Sequence, residues 1–175
     1  GTQIKPRRNP RVSVMTKTVC TLSLQKASSI KSLPTSKEFK TWIGIALEVA
    51  GFKKHCEIAI RLVDEAESHA LNLQYRGKDK ATNVLSFESE LPSEVLDALK
   101  REPLGDMVIC VPVVLDEAQT QQKTATAHWA HLTIHGTLHL LGFDHIEDDE
   151  ALEMEALEVL ALQHLGYANP YEDEY

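Results

Sequence analysis

The sequence predicts an α+β fold: a small mixed β-sheet of about four strands with about five helices packed on it, the histidine-rich helix central. Two observations carry that expectation. Short β-prone runs and amphipathic stretches of helical period follow one another along the chain, with no internal repeat and no low-complexity tract. A length of 175 residues, 43% of them hydrophobic, suits one domain with a sizeable core.

The elements follow in order. Lys17 to Gln25 (KTVCTLSLQ) alternates imperfectly, as a mostly buried strand does. Ser28 to Ser36 is a loop. Glu38 to Ala50 is an amphipathic helix with Phe39, Trp42, Ile43, Ala46 and Val49 on one stripe, ended by Gly51. Cys56 to Val63 (CEIAIRLV) is a second strand. Asp64 starts the next helix with Glu67 as capping-box partner, and Gly77 closes it after Tyr75. Arg76 to Ala81 is a basic loop and Thr82 to Glu88 a short strand. Glu90 to Pro103 is polar and predicts a loose loop. Leu104 to Val111 is a strand, and a short helix runs from Asp116 to Gln122. Thr124 to Leu141 is the histidine helix. Asp148 to Leu165 is the last, with Ala151, Met154, Leu157, Ala161 and Leu165 inward and Gly166 at its end.

Residues 1–14 read as a disordered basic arm or a non-native remnant, and 15–175 as the single domain. No apolar core follows the basic residues of the arm, so it is not a signal peptide. The longest apolar run, Val108 to Leu115, is far too short to span a bilayer. The net charge of −8 argues against a protein that coats nucleic acid non-specifically, so RNA binding would need a local basic patch. Cys20, Cys56 and Cys110 lie in apolar strand-like segments without a CxxC pair. They read as buried, reduced thiols, which fits a cytoplasmic location.

The chemistry concentrates between His128 and His145 (HWAHLTIHGTLHLLGFDH), which holds five of the eight histidines. At about 100° per residue, His128, His131, His135 and His139 share one helical stripe. Trp129, Thr133, Leu140 and Leu141 take the opposite, buried face. Gly142 suits a left-handed helix end, and His145 follows on a chain that has turned back. His135, His139 and His145 can therefore meet at one metal ion. Three protein ligands with an open fourth position make a catalytic zinc site. His128 and His131 read as supports that orient the ligands, or as structural groups.

The ligands and the glycine match the metzincin metalloprotease pattern, except that Gly136 stands where those enzymes carry the glutamate base. Zinc can lower the pKa of bound water to about 7 unaided. A phosphodiester, whose own oxygens can join in proton transfer, then suits the site better than a peptide. Tyr75-Arg76-Gly77-Lys78-Asp79-Lys80 offers a compact anion site, and Arg76, with its planar fork, is the better candidate for a phosphate. Asp144 either orients an imidazole or caps the turn. Glu147 to Glu150 suit the dipole of the last helix. Asp106 reads as a turn or strand-edge residue.

These stretches resemble a known family. HGTLHLLGFDH is similar to the signature of the YbeY family of bacterial metal-dependent endoribonucleases, and LNLQYRGKDKATNVLSFE resembles the family's second motif. LGDMVIC and EDDEALEMEALE resemble it as well, so the likeness runs from about Lys17 to Tyr171. Ala81 and Glu88 depart from it, each standing where proline is common; neither is a proposed ligand.

The resemblance implies an α+β fold, one Zn2+ held by His135, His139 and His145, and a functional arginine at Arg76. It implies single-strand-specific RNA cleavage in 16S rRNA maturation and ribosome quality control. Partners would be single-stranded RNA and the small ribosomal subunit with its proteins, with no membrane and no DNA. The imidazole set would also accept nickel, copper or iron. A metallopeptidase, or an assembly factor with a structural metal, are the alternatives.

Overall fold

The computed structural model describes residues 19–144 and 147–172. Four strands form one mixed sheet in the order β1-β2-β4-β3. They are β1 (Cys20–Lys26), β2 (Cys56–Val63), β3 (Val84–Glu88) and β4 (Glu102–Cys110). β1, β2 and β4 are parallel, and β3 runs antiparallel to β4 at the edge. Six helices accompany them among the described residues: α1 (Ser36–Val49), α2 (Glu65–Arg76), α3 (Ser93–Ala98), α4 (Val111–Thr120), α5 (Ala125–Leu140) and α6 (Asp148–His164).

The alternation of each strand splits the sheet into two faces. Ile58, Ile60 and Leu62 of β2 and Leu104, Met107 and Ile109 of β4 face the main core, built with α1, α5 and α6. Val63, Val108 and Cys110 face a smaller cluster that includes Leu71 of α2. The aromatic centre of the main core is a chain of edge-to-face rings, with Phe39 5.4 Å from Trp42 and 5.8 Å from Trp129. It locks α1 onto α5.

Several expectations need correction. The segment from Glu90 to Pro103 is not all loop, because Ser93–Ala98 forms a short helix, which makes six helices among the described residues where five were expected. The helix expected at Asp116 begins five residues earlier, at Val111, and β4 stops at Cys110. Pro112 is the physical reason: it lacks an N–H, which the first helical turn does not need, whereas a central strand does. The Asp64–Glu67 capping box does not form. Asp64 instead accepts from Ser28 Oγ (2.5 Å) and the Ser29 N–H (2.9 Å), and Glu67 takes the Arg61 guanidinium. These hydrogen bonds hold the Asp64 carboxyl below its ordinary range. A capping box does form at α1, between Thr35 and Glu38. Asp106 lies within the internal strand β4, paired to Ala59 and Phe87, and is neither turn nor edge.

Cys56 and Cys110 are buried and Cys20 half-buried, all three as free thiols. Lys17 and Thr18, expected in the first strand, lie outside the described residues.

Candidate metal centre

α5 is positioned by the absence of a side chain. A Cβ at Gly136 would lie 2.3 Å from Met107 Sδ and 3.3 Å from Ser86 Oγ, so the helix backbone rests directly on β4 and β3. The Ser86 hydroxyl donates to the Gly136 carbonyl at 3.3 Å. The residue that distinguishes this chain from the metzincin pattern thus points into the sheet. A glutamate there would meet the core.

With Gly136 turned down, the histidine stripe turns towards α6. His135 and His139 are half-buried, their ring centroids 4.6 Å apart. The His135 Nδ1–H donates to Glu158 Oε2 at 2.6 Å, a tautomer assigned from the hydrogen-bond pattern. In that tautomer the lone pair, the kind of donor a metal ion takes, lies on Nε2. The Leu141 cap and Gly142, at φ 98°, end the helix as expected, with Gly142 N–H bonded to the His139 carbonyl at 2.9 Å. His145, the third expected ligand, lies outside the described residues. Two adjacent imidazoles, one with its far nitrogen already committed to a carboxylate, fit a metal ion of borderline softness.

Glu158 is the residue that sequence reasoning missed. It is fully buried on α6 and takes three hydrogen bonds: from His135, from His131 Nε2–H (2.9 Å), and from the Tyr171 hydroxyl. Burial alone would raise its carboxyl, but the bonds from His131 and His135 outweigh burial and bring it down to about 2. Burial lowers the pKa of His131, so the pair is a carboxylate facing a neutral imidazole. A signal existed. Glu158 falls four residues after Met154 and three before Ala161, on the inward stripe of α6, where a carboxylate needs partners.

His128 does not join this group. Its Nε2–H donates to Glu117 (2.8 Å), which also holds the Asn83 amide (3.1 Å). It ties α5 to α4 and to the start of β3.

Arg76 is the exposed last residue of α2, next to Gly77 in the left-handed conformation (φ 70°). The loop after it is pinned. Asn72 Nδ2 donates to the Lys80 carbonyl (2.8 Å), Ser68 exchanges two hydrogen bonds with Thr82, and His69 pairs with Asp79 at 2.5 Å. α2 lies on the sheet face opposite α5. Both helices nevertheless reach the same step of edge strand β3. Tyr75 packs edge-to-face on Phe87 at 5.1 Å. From the other face, Leu140 Cδ2 would be 3.0 Å from a Cβ on Gly105, the partner of Glu88. Between α2 and the strands the open sheet face forms a groove of about 940 Å³, whose lining includes Glu57, Glu88, Glu90, Asp106 and Arg61.

Fold and site together define an α+β protein with a histidine-based candidate metal centre. The endoribonuclease YbeY family model matches residues 22–166, and the chain belongs to that family. It is 54% identical over 155 residues to "Endoribonuclease YbeY" of Acinetobacter baylyi, covering 87% of this chain and 98% of that protein. The Acinetobacter baumannii protein of the same name is 54% identical over 154 residues, with the same coverage. The solution structure of TM1509 from Thermotoga maritima shares the fold, with a TM-score of 0.51, 23% identity, and coverage of 86% of this chain and 91% of that one.

Proposed function

We propose that this chain is a metal-dependent endoribonuclease that cuts single-stranded RNA in 16S rRNA maturation and ribosome quality control. Family membership supports the reaction. The observation that carries the metal reading is the commitment of His135 Nδ1 to Glu158 beside the ring of His139. His135, His139 and His145 would hold one Zn2+, which when bound supplies Lewis acidity at a phosphate oxygen and a more acidic water. Arg76 binds the scissile phosphate through its fork and offsets the charge that builds on it. The resemblance of LNLQYRGKDKATNVLSFE to the family's second motif supports this role for Arg76. Gly136 leaves no base where a metallopeptidase needs one, which disfavours peptide hydrolysis.

The groove's carboxylates suit a basic protein segment better than a phosphate backbone. That supports small-subunit ribosomal proteins as partners beside RNA. No described helix is long and apolar enough to cross a membrane, and the free thiols agree with a cytoplasmic location.

The test is His139→Ala, with bound zinc and cleavage of a single-stranded RNA measured on the same preparation. Both should be lost, whereas Arg76→Ala should keep zinc and lose cleavage. Cleavage that survives in zinc-free His139→Ala protein overturns the mechanism.

A further inference from the structure

We propose that Glu158 is a positioning residue that fixes the tautomer of His135, and that His131 and Tyr171 act as a clamp on Glu158 and not as ligands. The inference rests on the metal reading above and assigns a residue outside the three histidines.

The geometry carries it. α5 presents His131 and His135 one turn apart, and α6 crosses so that one carboxylate meets both. Oε1 accepts from His131 Nε2 (2.9 Å) and from the Tyr171 hydroxyl, while Oε2 accepts from His135 Nδ1 (2.6 Å). Both oxygens are occupied, and the side chain is 1% exposed. Met154, Ala161 and Leu162 are buried around it on the same face of α6, so the carboxylate has no room to swing away.

Oε1 of Glu158 already accepts from two donors, so the contact at Oε2 is the Nδ1–H of His135 donating to the carboxyl group, and the ring lone pair then lies on Nε2. His131 is arranged the other way. Its Nε2–H is spent on Glu158, and its Nδ1 is buried with no hydrogen-bond partner among the described residues. Neither nitrogen of His131 is available to an ion on the solvent side. The stripe of imidazoles thus divides by function: His135 faces the site, and His131 holds the group that aims it. Tyr171, seven residues beyond the end of α6, closes the network from the C-terminal side.

Glu158→Gln is the discriminating change. It keeps the size but places an amide N–H₂ beside the two rings. The His131 Nε2–H and the Tyr171 hydroxyl both need an acceptor, so the amide oxygen takes the Oε1 place and the N–H₂ faces His135; that ring must then accept at Nδ1 and carry its proton on Nε2, which blocks the metal-binding lone pair.

The experiment has two readouts. Long-range ¹H–¹⁵N spectra of the metal-free protein report the His135 tautomer directly. The parent should show Nδ1–H and Glu158→Gln should show Nε2–H. Zn2+ affinity by competition with a chromophoric chelator should fall about 10–100-fold in Glu158→Gln, the usual effect of losing such a support. Glu158→Asp should recover part of it.

An Nε2–H tautomer of His135 in the parent overturns the proposal without any variant. So does unchanged Zn2+ affinity in a folded Glu158→Gln protein. If the parent shows the Nδ1–H tautomer but binds no Zn2+, the metal reading fails and the tautomer assignment stands.

Discussion

Replacing Gly136 by alanine should destabilise this protein, although alanine is the better helix former. In an unconstrained helix the change gains about 1 kcal/mol. Here the new methyl would sit 2.3 Å from Met107 Sδ. That is more than about 1 Å inside an ordinary non-bonded contact. Met107 has a flexible side chain but is fully buried, so its sulfur can retreat only by displacing other core groups. Overpacking costs about 1–3 kcal/mol, and an overlap this large in a fully buried place puts it at the upper end, about 2–3 kcal/mol. The net loss should be about 1–2 kcal/mol, read as a lower urea midpoint with unchanged slope, or as a fall in Tm of about 2–4 °C per kcal/mol.

The second arm is Met107→Ala, which alone should cost about 2–5 kcal/mol through the cavity it leaves. The double variant should cost less than the sum by at least about 1 kcal/mol, because the alanine methyl at position 136 occupies part of that cavity. A Gly136→Ala protein as stable as the parent, or strict additivity in the double variant, refutes the close approach of α5 to β4.

Two further outcomes follow from the fold. Gly105 adopts φ +140°, and a Cβ there would lie 2.1 Å from the Phe87 carbonyl, so Gly105→Ala sets a side chain against paired backbone that cannot rotate away. It should lose about 3 kcal/mol or more, checked by denaturant unfolding; a loss under about 1 kcal/mol would contradict this geometry. Burial raises the Glu117 carboxyl, but bonds from His128 and Asn83 outweigh it, and the pKa ends below the ordinary carboxylate value. Because the folded pKa is the lower one, this stabilisation is complete above the unfolded value of about 4.3 and fades as pH falls towards the folded one. Glu117→Gln should therefore destabilise at pH 7 and flatten the acid limb of stability against pH, measured by Tm from pH 7 to 3; an unchanged acid limb would remove Glu117 from the account.

Much of the fold was legible because its signals are periodic. CEIAIRLV alternates cleanly and forms β2 as expected, and the stripe of Phe39, Trp42, Ile43 and Ala46 is buried as expected. What was not legible turned on tertiary context. VICVPVVL is apolar throughout, so periodicity cannot say where β4 yields to α4, and only the proline hints at it. Asp64 has the right residue type for a cap, but a competing pair of donors in the loop at Ser28 and Ser29 takes its carboxylate. The histidine pair was legible from spacing alone. Glu158 was not read, because it looked like one more acid in an acidic helix. Its inward position was written in the period of α6, but its partners come from α6 crossing α5, which no local pattern encodes. Arg76 stands beside its left-handed glycine as expected, but as the last residue of α2 and not the first of the loop, and its sheet face depends on the strand order.

The surface under Gly136 also has a history within the folding reaction. β4 inserts between β2 and β3, so edge strand β3 gains its partner only after the chain has passed through α3 and come back. The parallel pairs β1–β2 and β2–β4 close loops of roughly forty residues each, contacts that form late because their entropy is lost first. α5 docks on Met107 and Ser86, one from each strand of the antiparallel pair β3–β4. Glu158 and Tyr171 are synthesised later still. The centre is therefore among the last parts of the molecule to mature. His131 and His135 are thus in place on α5 before the carboxylate and hydroxyl that tie them down have been made.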